Sequence, residues 1–348
     1  MTAGPRVLLL NDTDEGSTHF GCIRVMRTIR EELSQRGLTD LPSIKVGTDW
    51  RRDPAVIVQI DMADLVVING EGTLHHGKRR GRWLLEAGAR VKAGGGRVAL
   101  INALWQQNPP DWAEMARDFD ILACRDSRSM KDLAAATGRE VTFLGDLSML
   151  HPWQDPGVTR SGVMVGCSVH GTVTEALARF AEEGGHDLVP VTTVIKAVPA
   201  RLTGWRRWLR AHRSDWQNRR FIARHPTTQH VTDDAAYLMQ LSRHSLVVTG
   251  RFHSVCLAIL SGTPFLAISS NSWKIEALIS DVGLDPARVR PLAELSQATL
   301  AERDWSYSAA EKAAIAASLQ RWRIEGRGLF DRVAALTSDP PISTACSA

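Results

Sequence analysis

The sequence predicts an α/β protein of two Rossmann-like, doubly wound domains facing a cleft, followed by a closing helix near the C-terminus. Three observations predict it. Short apolar strands alternate with helical patterns along most of the chain, the signature of parallel βαβ units. The alternation breaks at residues 151–161 (HPWQDPGVTRS) and then starts again. The length, 348 residues, suits two domains of ordinary size.

Each element has its own signal. Residues 6–10 form an apolar strand that ends on Asn11 and Asp12. Residues 22–33 have helical spacing, and 63–68 (ADLVVI) form a buried strand closed by Asn69-Gly70-Glu71-Gly72. A helix over 82–93 stops at Gly94-Gly95-Gly96. Strands follow at 97–101, 121–123 and 141–144, with a helix over 127–137 that ends at Gly138. After the break, strands are expected at 162–167, 188–191, 246–249 and 264–269. Helices are expected at 173–183, 235–242, 254–261 and 309–335. The expected domains are 1–155 and 160–308, then a helix over 309–336 and a tail over 337–348. Ligands of such sheets bind beyond the carboxyl ends of the strands, and here also between the domains. Many glycan-building transferases share this layout.

Composition narrows the function. Hydrophobic residues make up 44% and charged residues 23%, which excludes disordered and fibrous classes. No apolar run reaches the roughly 18 residues of a membrane-spanning helix. The first apolar run reads as a strand and not as a secretory leader. Five widely spaced cysteines show no metal-type pairing, so reduced thiols in a cytoplasm are expected.

The net charge is only +4, but residues 201–224 hold eight arginines and a single acid, Asp215. The basicity is local and calls for a local anionic partner, with no recognised nucleic-acid motif beside it. Trp205, Trp208 and Leu209 share one face of a short helix there. Arg206 and Trp208 are candidate contacts to an acceptor carrying a lipid-linked diphosphate, or to the anionic inner face of a membrane. A basic insertion with a few buried tryptophans is the plainer reading.

The richest segment is 246–278, in which a strand runs into Gly250-Arg251-Phe252-His253 at a helix start. A helix N-terminus favours anions, and an arginine there can grip a carboxylate or phosphate at two points. A histidine beside it can exchange a proton near neutral pH. A capping loop with a satisfied histidine would look the same.

Gly250-Arg251-Phe252-His253, an apolar helix, Gly262-x-Pro264, a strand and Lys274 together resemble the polysaccharide pyruvyl transferase family. Residues 64–72 (DLVVINGEG), Cys124-Arg125-Asp126-x-x-Ser129 and Gly145-Asp146 are similar to its other elements, in order, over roughly residues 5–285. The resemblance implies a glycosyltransferase-B-like fold and phosphoenolpyruvate as donor substrate, with no further cofactor. It implies a pyruvate ketal on a sugar of a surface polysaccharide as product. His253 matches the catalytic histidine and Arg251 a donor-binding arginine. Arg125 and Lys274 are further anion contacts. In this scheme His253 protonates the enol carbon or assists phosphate departure, and a second hydroxyl closes the ketal. No metal is required.

Three loops depart from the family pattern: residues 11–21, Gly70-Glu71-Gly72-Thr73-Leu74-His75-His76, and Asn102-Ala103-Leu104-Trp105-Gln106. They point to an acceptor site of the chain's own, with Asn102, Trp105, His75 and His76 as candidate contacts. A metal on the paired histidines is disfavoured, because adjacent histidines point apart unless the loop is unusual and no third ligand is spaced nearby. The departures also leave open an inverting glycosyltransferase of the same fold using a cytidine-linked or other nucleotide-activated sugar. Glu71 would then be the base, and His253, Ser269 and Ser270 would hold the leaving phosphate. A catalytically silent glycan-binding relative is the third reading.

Overall fold

The computed structural model describes residues 4–14, 18–194, 198, 202, 204–269 and 272–338. The chain divides into two compact units. The first comprises Met1–Glu15, Met26–Leu147 and Trp322–Ala348; the second comprises Gly16–Val25 and Ser148–Arg321.

The elements of the first unit run β1 (Val7–Asp12), α1 (Phe20–Ser34), β2 (Ser43–Lys45), α2 (Pro54–Met62), β3 (Leu65–Asn69), α3 (Arg79–Ala93) and β4 (Arg97–Ala103). Then come α4 (Pro110–Arg117), β5 (Ile121–Cys124), α5 (Ser127–Thr137) and β6 (Thr142–Phe143). The opening turns of α1, up to Val25, belong to the second unit. Among the described residues the strands form a six-stranded sheet in the order β2-β1-β3-β4-β5-β6, every pair parallel. All five residues of β3 are buried, as a sheet covered on both faces requires. Asp126 caps α5 by accepting from the Ser129 amide, and Gly138 ends that helix at φ 67°. A left-handed residue there costs glycine nothing. The order reverses between β1 and β3, which makes the carboxyl ends of these strands the switch point of the sheet.

The second unit continues with β7 (Val163–Ser168), α6 (Gly171–Gly184), β8 (Asp187–Leu188), α7 (Gly204–Arg224), α8 (Asp234–Arg243), β9 (Leu246–Gly250) and α9 (Phe252–Leu260). It ends with β10 (Phe265–Ile268), α10 (Lys274–Val282), β11 (Val289–Arg290), α11 (Gln297–Ala301) and α12 (Ala309–Ala335). Its sheet, again parallel, has the order β11-β10-β9-β7-β8. The switch point lies between β7 and β9. Residues 309–321 of α12 belong to this unit and those from Trp322 on to the first.

Both doubly wound sheets and the long last helix agree with the sequence expectation. Helices α2, α4, α10 and α11 and the short strands β2 and β11 have no counterpart in the sequence expectation, and the strand expected at 188–191 is the two-residue β8. The short helix expected around Trp205 is the start of a 21-residue helix, α7. No helix among the described residues is long and apolar enough to cross a membrane.

Candidate active site

In the second unit the chain leaves β9 at its switch point and turns at once into α9. Gly250 pairs with Ser168 of β7, and a Cβ on Gly250 would come within 2.9 Å of the Ser168 side chain. Arg251 is the N-cap of α9, in extended conformation, and its side chain does not cap the helix. Its amide donates to Thr249 Oγ1 at 3.2 Å. Its Nε is buried with no hydrogen-bond partner among the described residues. All nine residues of α9 are buried, His253 included. Ser254 Oγ and Tyr237 Oη are 2.6 Å apart, a buried hydrogen bond that ties α9 to α8. Lys274 begins α10, so a second helix start carries a cation.

The segment 18–22 completes this site. Thr18 O accepts from the Thr193 amide, and the Phe20 amide donates to Val191 O. His19 pairs with Thr192 in an antiparallel bridge. These bonds fix the segment beside the strand ends. The His19 and His253 rings then meet edge to face, with centroids 5.1 Å apart. Gly21 permits this approach, since a Cβ there would lie 2.2 Å from His253 Cγ. Burial, and then the neighbouring His253, Arg251 and Lys274, hold the His19 imidazole well below its usual pKa. The lowered pKa keeps the His19 imidazole neutral at physiological pH, with His253, Arg251 and Lys274 acting on it. One ligand atom each from His19, Cys22 and His253 lie within 4.8 Å of one another.

Ser269 is exposed at the end of β10, its amide bonded to Arg290 O; Ser270 lies outside the described residues. Arg206 and Trp208 are exposed on α7, together with Trp205, Leu209 and Trp216. Arg201 lies outside the described residues. A cavity of about 590 Å³ opens where α7 passes the start of α6, lined by His170, Trp216, Arg220 and Arg224 among others. It includes neither Arg251 nor His253.

In the first unit, Glu71 stands at the β1/β3 switch point and is buried. Its carboxylate accepts from Thr13 Oγ1 at 3.1 Å and from Asn69 Nδ2 at 3.5 Å. Asn11 and Asn102 flank it in sequence order on β1 and β4, both left-handed at φ 64° and 54°. Each sits at a register shift of its strand. Asn102 Oδ1 accepts from the Leu147 amide, while its Nδ2 is buried without a partner among the described residues. Strained backbone of this kind collects at functional sites.

Three expectations for the first unit are corrected. Trp105 belongs to the hydrophobic core, edge to face with Trp112, and offers no stacking surface. His75 is buried with both ring nitrogens engaged, Nδ1 with His76 Nδ1 and Nε2 with Lys78 Nζ, each at 2.7 Å. That leaves His76, exposed and left-handed at φ 55°, as the member of the pair open to an acceptor. Arg125 is committed to a buried ion pair with Asp146 at 3.1 Å. Asp126 takes the amide and hydroxyl of Ser129, and that hydroxyl receives the Trp105 amide. The Arg-Asp-x-x-Ser and Gly-Asp elements thus build one buried joint.

His19 and Cys22 do not stand out in the sequence, because the cysteines show no pairing with one another. The spacing His19-x-x-Cys22 was the available signal.

Residues 3–272 match the family of polysaccharide pyruvyl transferases. The chain is a member of the polysaccharide pyruvyl transferase family. None of the curated proteins compared matches it. Among solved structures, the glycotransferase of kitacinnamycin is 13% identical, with 97% of this transferase and 100% of that chain covered at a TM-score of 0.51. The UDP-GlcNAc 2-epimerase of Methanocaldococcus jannaschii, solved with UDP-GlcNAc and UDP, is 11% identical, with coverage of 96% and 99% and a TM-score of 0.52. Anabaena HepE, solved with UDP and glucose, is 13% identical, with coverage of 97% and 100% and a TM-score of 0.50. At these identities the likeness shows the fold alone, which for this chain is glycosyltransferase-B-like.

Proposed function

We propose that this pyruvyl transferase takes phosphoenolpyruvate as donor at the second unit's switch point and builds a pyruvate ketal on a surface-polysaccharide sugar. One observation carries the reading: the His19 and His253 rings meet at 5.1 Å between centroids, His253 follows Arg251 at the start of α9, and Arg251 and Lys274 both help to lower the His19 pKa. Two of them, Arg251 and Lys274, mark helix starts. A donor with a carboxylate and a phosphate needs such a cluster, where free amides and helix dipoles add to the side-chain charge.

Arg251 suits two-point recognition of the carboxylate or phosphate. Lys274 supplies a second cation. His253 delivers a proton to the methylene carbon, and the acceptor hydroxyl forms the new C2–O bond. Phosphate leaves C2 with its bridging oxygen, and a second hydroxyl closes the ketal. The two hydroxyl protons are balanced by the new methyl hydrogen and by the released phosphate. His19, held neutral, can accept a proton as these steps proceed. Exposed Arg206, Trp208 and their neighbours on α7 suit an acceptor carried on a lipid-linked diphosphate at an anionic membrane face. Glu71 and His76 are the acceptor-side candidates of the first unit.

The test supplies phosphoenolpyruvate and a panel of diol-bearing sugars and follows phosphate release together with a new ketal methyl resonance. Both signals should vanish in His253→Ala. A folded His253→Ala with unchanged transfer overturns the assignment. Transfer from a nucleotide-activated sugar, with phosphoenolpyruvate inert, replaces it with the glycosyl reading and makes Glu71 the base.

A further inference from the structure

We infer that His19, Cys22 and His253 form a binding site for a thiophilic divalent cation of the zinc class. The first argument is placement. His19 stands in the bridge just before α1 and Cys22 in the first turn of α1. His253, from the first turn of α9, faces them, and the three ligand atoms lie within 4.8 Å of one another. Zinc sits about 2.0–2.3 Å from nitrogen and sulfur ligands, so small side-chain rotations close the site.

The second argument is rigidity. The backbone at 18–20 is bonded on both sides to 191–193. The His253 ring rests against the bare Cα of Gly21, and α9 is wholly buried. Ligands on such supports are held near a productive geometry before the ion arrives.

The third argument is chemistry. Two imidazoles and a thiolate are borderline-to-soft donors, which select zinc or copper over magnesium and calcium. Three protein ligands leave one position for water or an anion. On binding, the Cys22 sulfur exchanges its proton for the metal, the proton passes to solvent, and the ion sheds waters.

A consequence follows that rests on the reading proposed above. A His253 nitrogen bonded to an ion cannot also deliver a proton, so the ion inhibits pyruvyl transfer.

The test uses the full chain, with cobalt as a spectroscopic substitute for zinc. The wild type should bind one equivalent, with a thiolate-to-cobalt charge-transfer band that zinc abolishes by displacement. Cys22→Ser should lose the band and bind at least about tenfold more weakly, the cost that even an outer-shell change imposes at a metal site. His19→Gln, with circular dichroism unchanged, should weaken cobalt to a similar extent. Absence of the band in the wild type, or equal affinity in Cys22→Ser, overturns the site. Phosphoenolpyruvate binding measured without metal is a separate readout, so failure of the donor reading is not mistaken for failure of this one.

Discussion

The imidazoles of His19 and His253 touch edge to face at 5.1 Å between centroids, one from the segment before α1 and the other from the start of α9. The contact depends on Gly21, whose missing side chain leaves the space that His253 fills. A strand end, a helix start and a returning N-terminal segment thereby bring His19 and His253 together, and Arg251 and Lys274 help to lower the His19 pKa.

Gly21→Ala places a methyl group 2.2 Å from His253 Cγ. Helix α9 is buried along its whole length, so the ring has little room to yield. Overpacking of this kind costs about 1–3 kcal/mol. The thermal midpoint should fall and phosphoenolpyruvate affinity should drop with it. An unchanged midpoint and affinity would mean that the His253 position does not matter.

The Arg125–Asp146 pair is wholly buried. Asp146→Asn leaves a guanidinium without its counter-charge, which costs about 3–5 kcal/mol. The double variant Arg125→Met/Asp146→Leu should recover most of that stability, because a buried pair is readily replaced by apolar bulk. If Arg125 is structural, the double variant binds the donor as the wild type does. Calorimetry on both variants checks it.

Much of this was legible in the sequence, though unevenly. The Arg251–His253 turn was readable because glycine, arginine and histidine stand together between an apolar strand and an apolar helix. Likewise α5 was readable to the residue, since Asp126 opens it and Gly138 closes it. Helices α2 and α4 begin with proline and are only nine and eight residues long, so local pattern does not mark them. Trp105 stands in the sequence as a candidate acceptor contact, and only packing against Trp112 reveals it as core. His19 is ordinary in sequence, and its partner lies in a distant segment that pattern reading cannot bring near.

Acid stability should carry the mark of Arg288 and Glu311. Arg288 is fully buried, and its hydrogen bonds pull Glu311 from 4.5 down to about 2. A depressed carboxyl stabilises the fold fully above its unfolded value. That contribution is lost as pH falls from about 4.5 towards about 2. Unfolding monitored across this window should show the slope in the wild type and a weaker slope in Glu311→Gln. The variant should also be less stable at pH 7, because Arg288 stays buried without its charge partner.

Helix α7 exposes Trp205, Trp208, Leu209 and Trp216 among its arginines. Vesicles containing anionic lipid should sediment the protein, and added salt should release it. Trp205→Ser/Trp208→Ser should weaken this binding while leaving donor affinity unchanged. Equal binding to neutral vesicles would remove the electrostatic part of the argument.

The most direct measurement is thermal unfolding with and without phosphoenolpyruvate, on the wild type and on Arg251→Ala. A ligand held only by the folded state adds about 2.7 kcal/mol at a hundredfold excess over its dissociation constant. The wild-type midpoint should rise with phosphoenolpyruvate, and the rise should disappear in Arg251→Ala. A wild type that does not respond, or an Arg251→Ala protein that responds equally, would contradict the donor site at the start of α9.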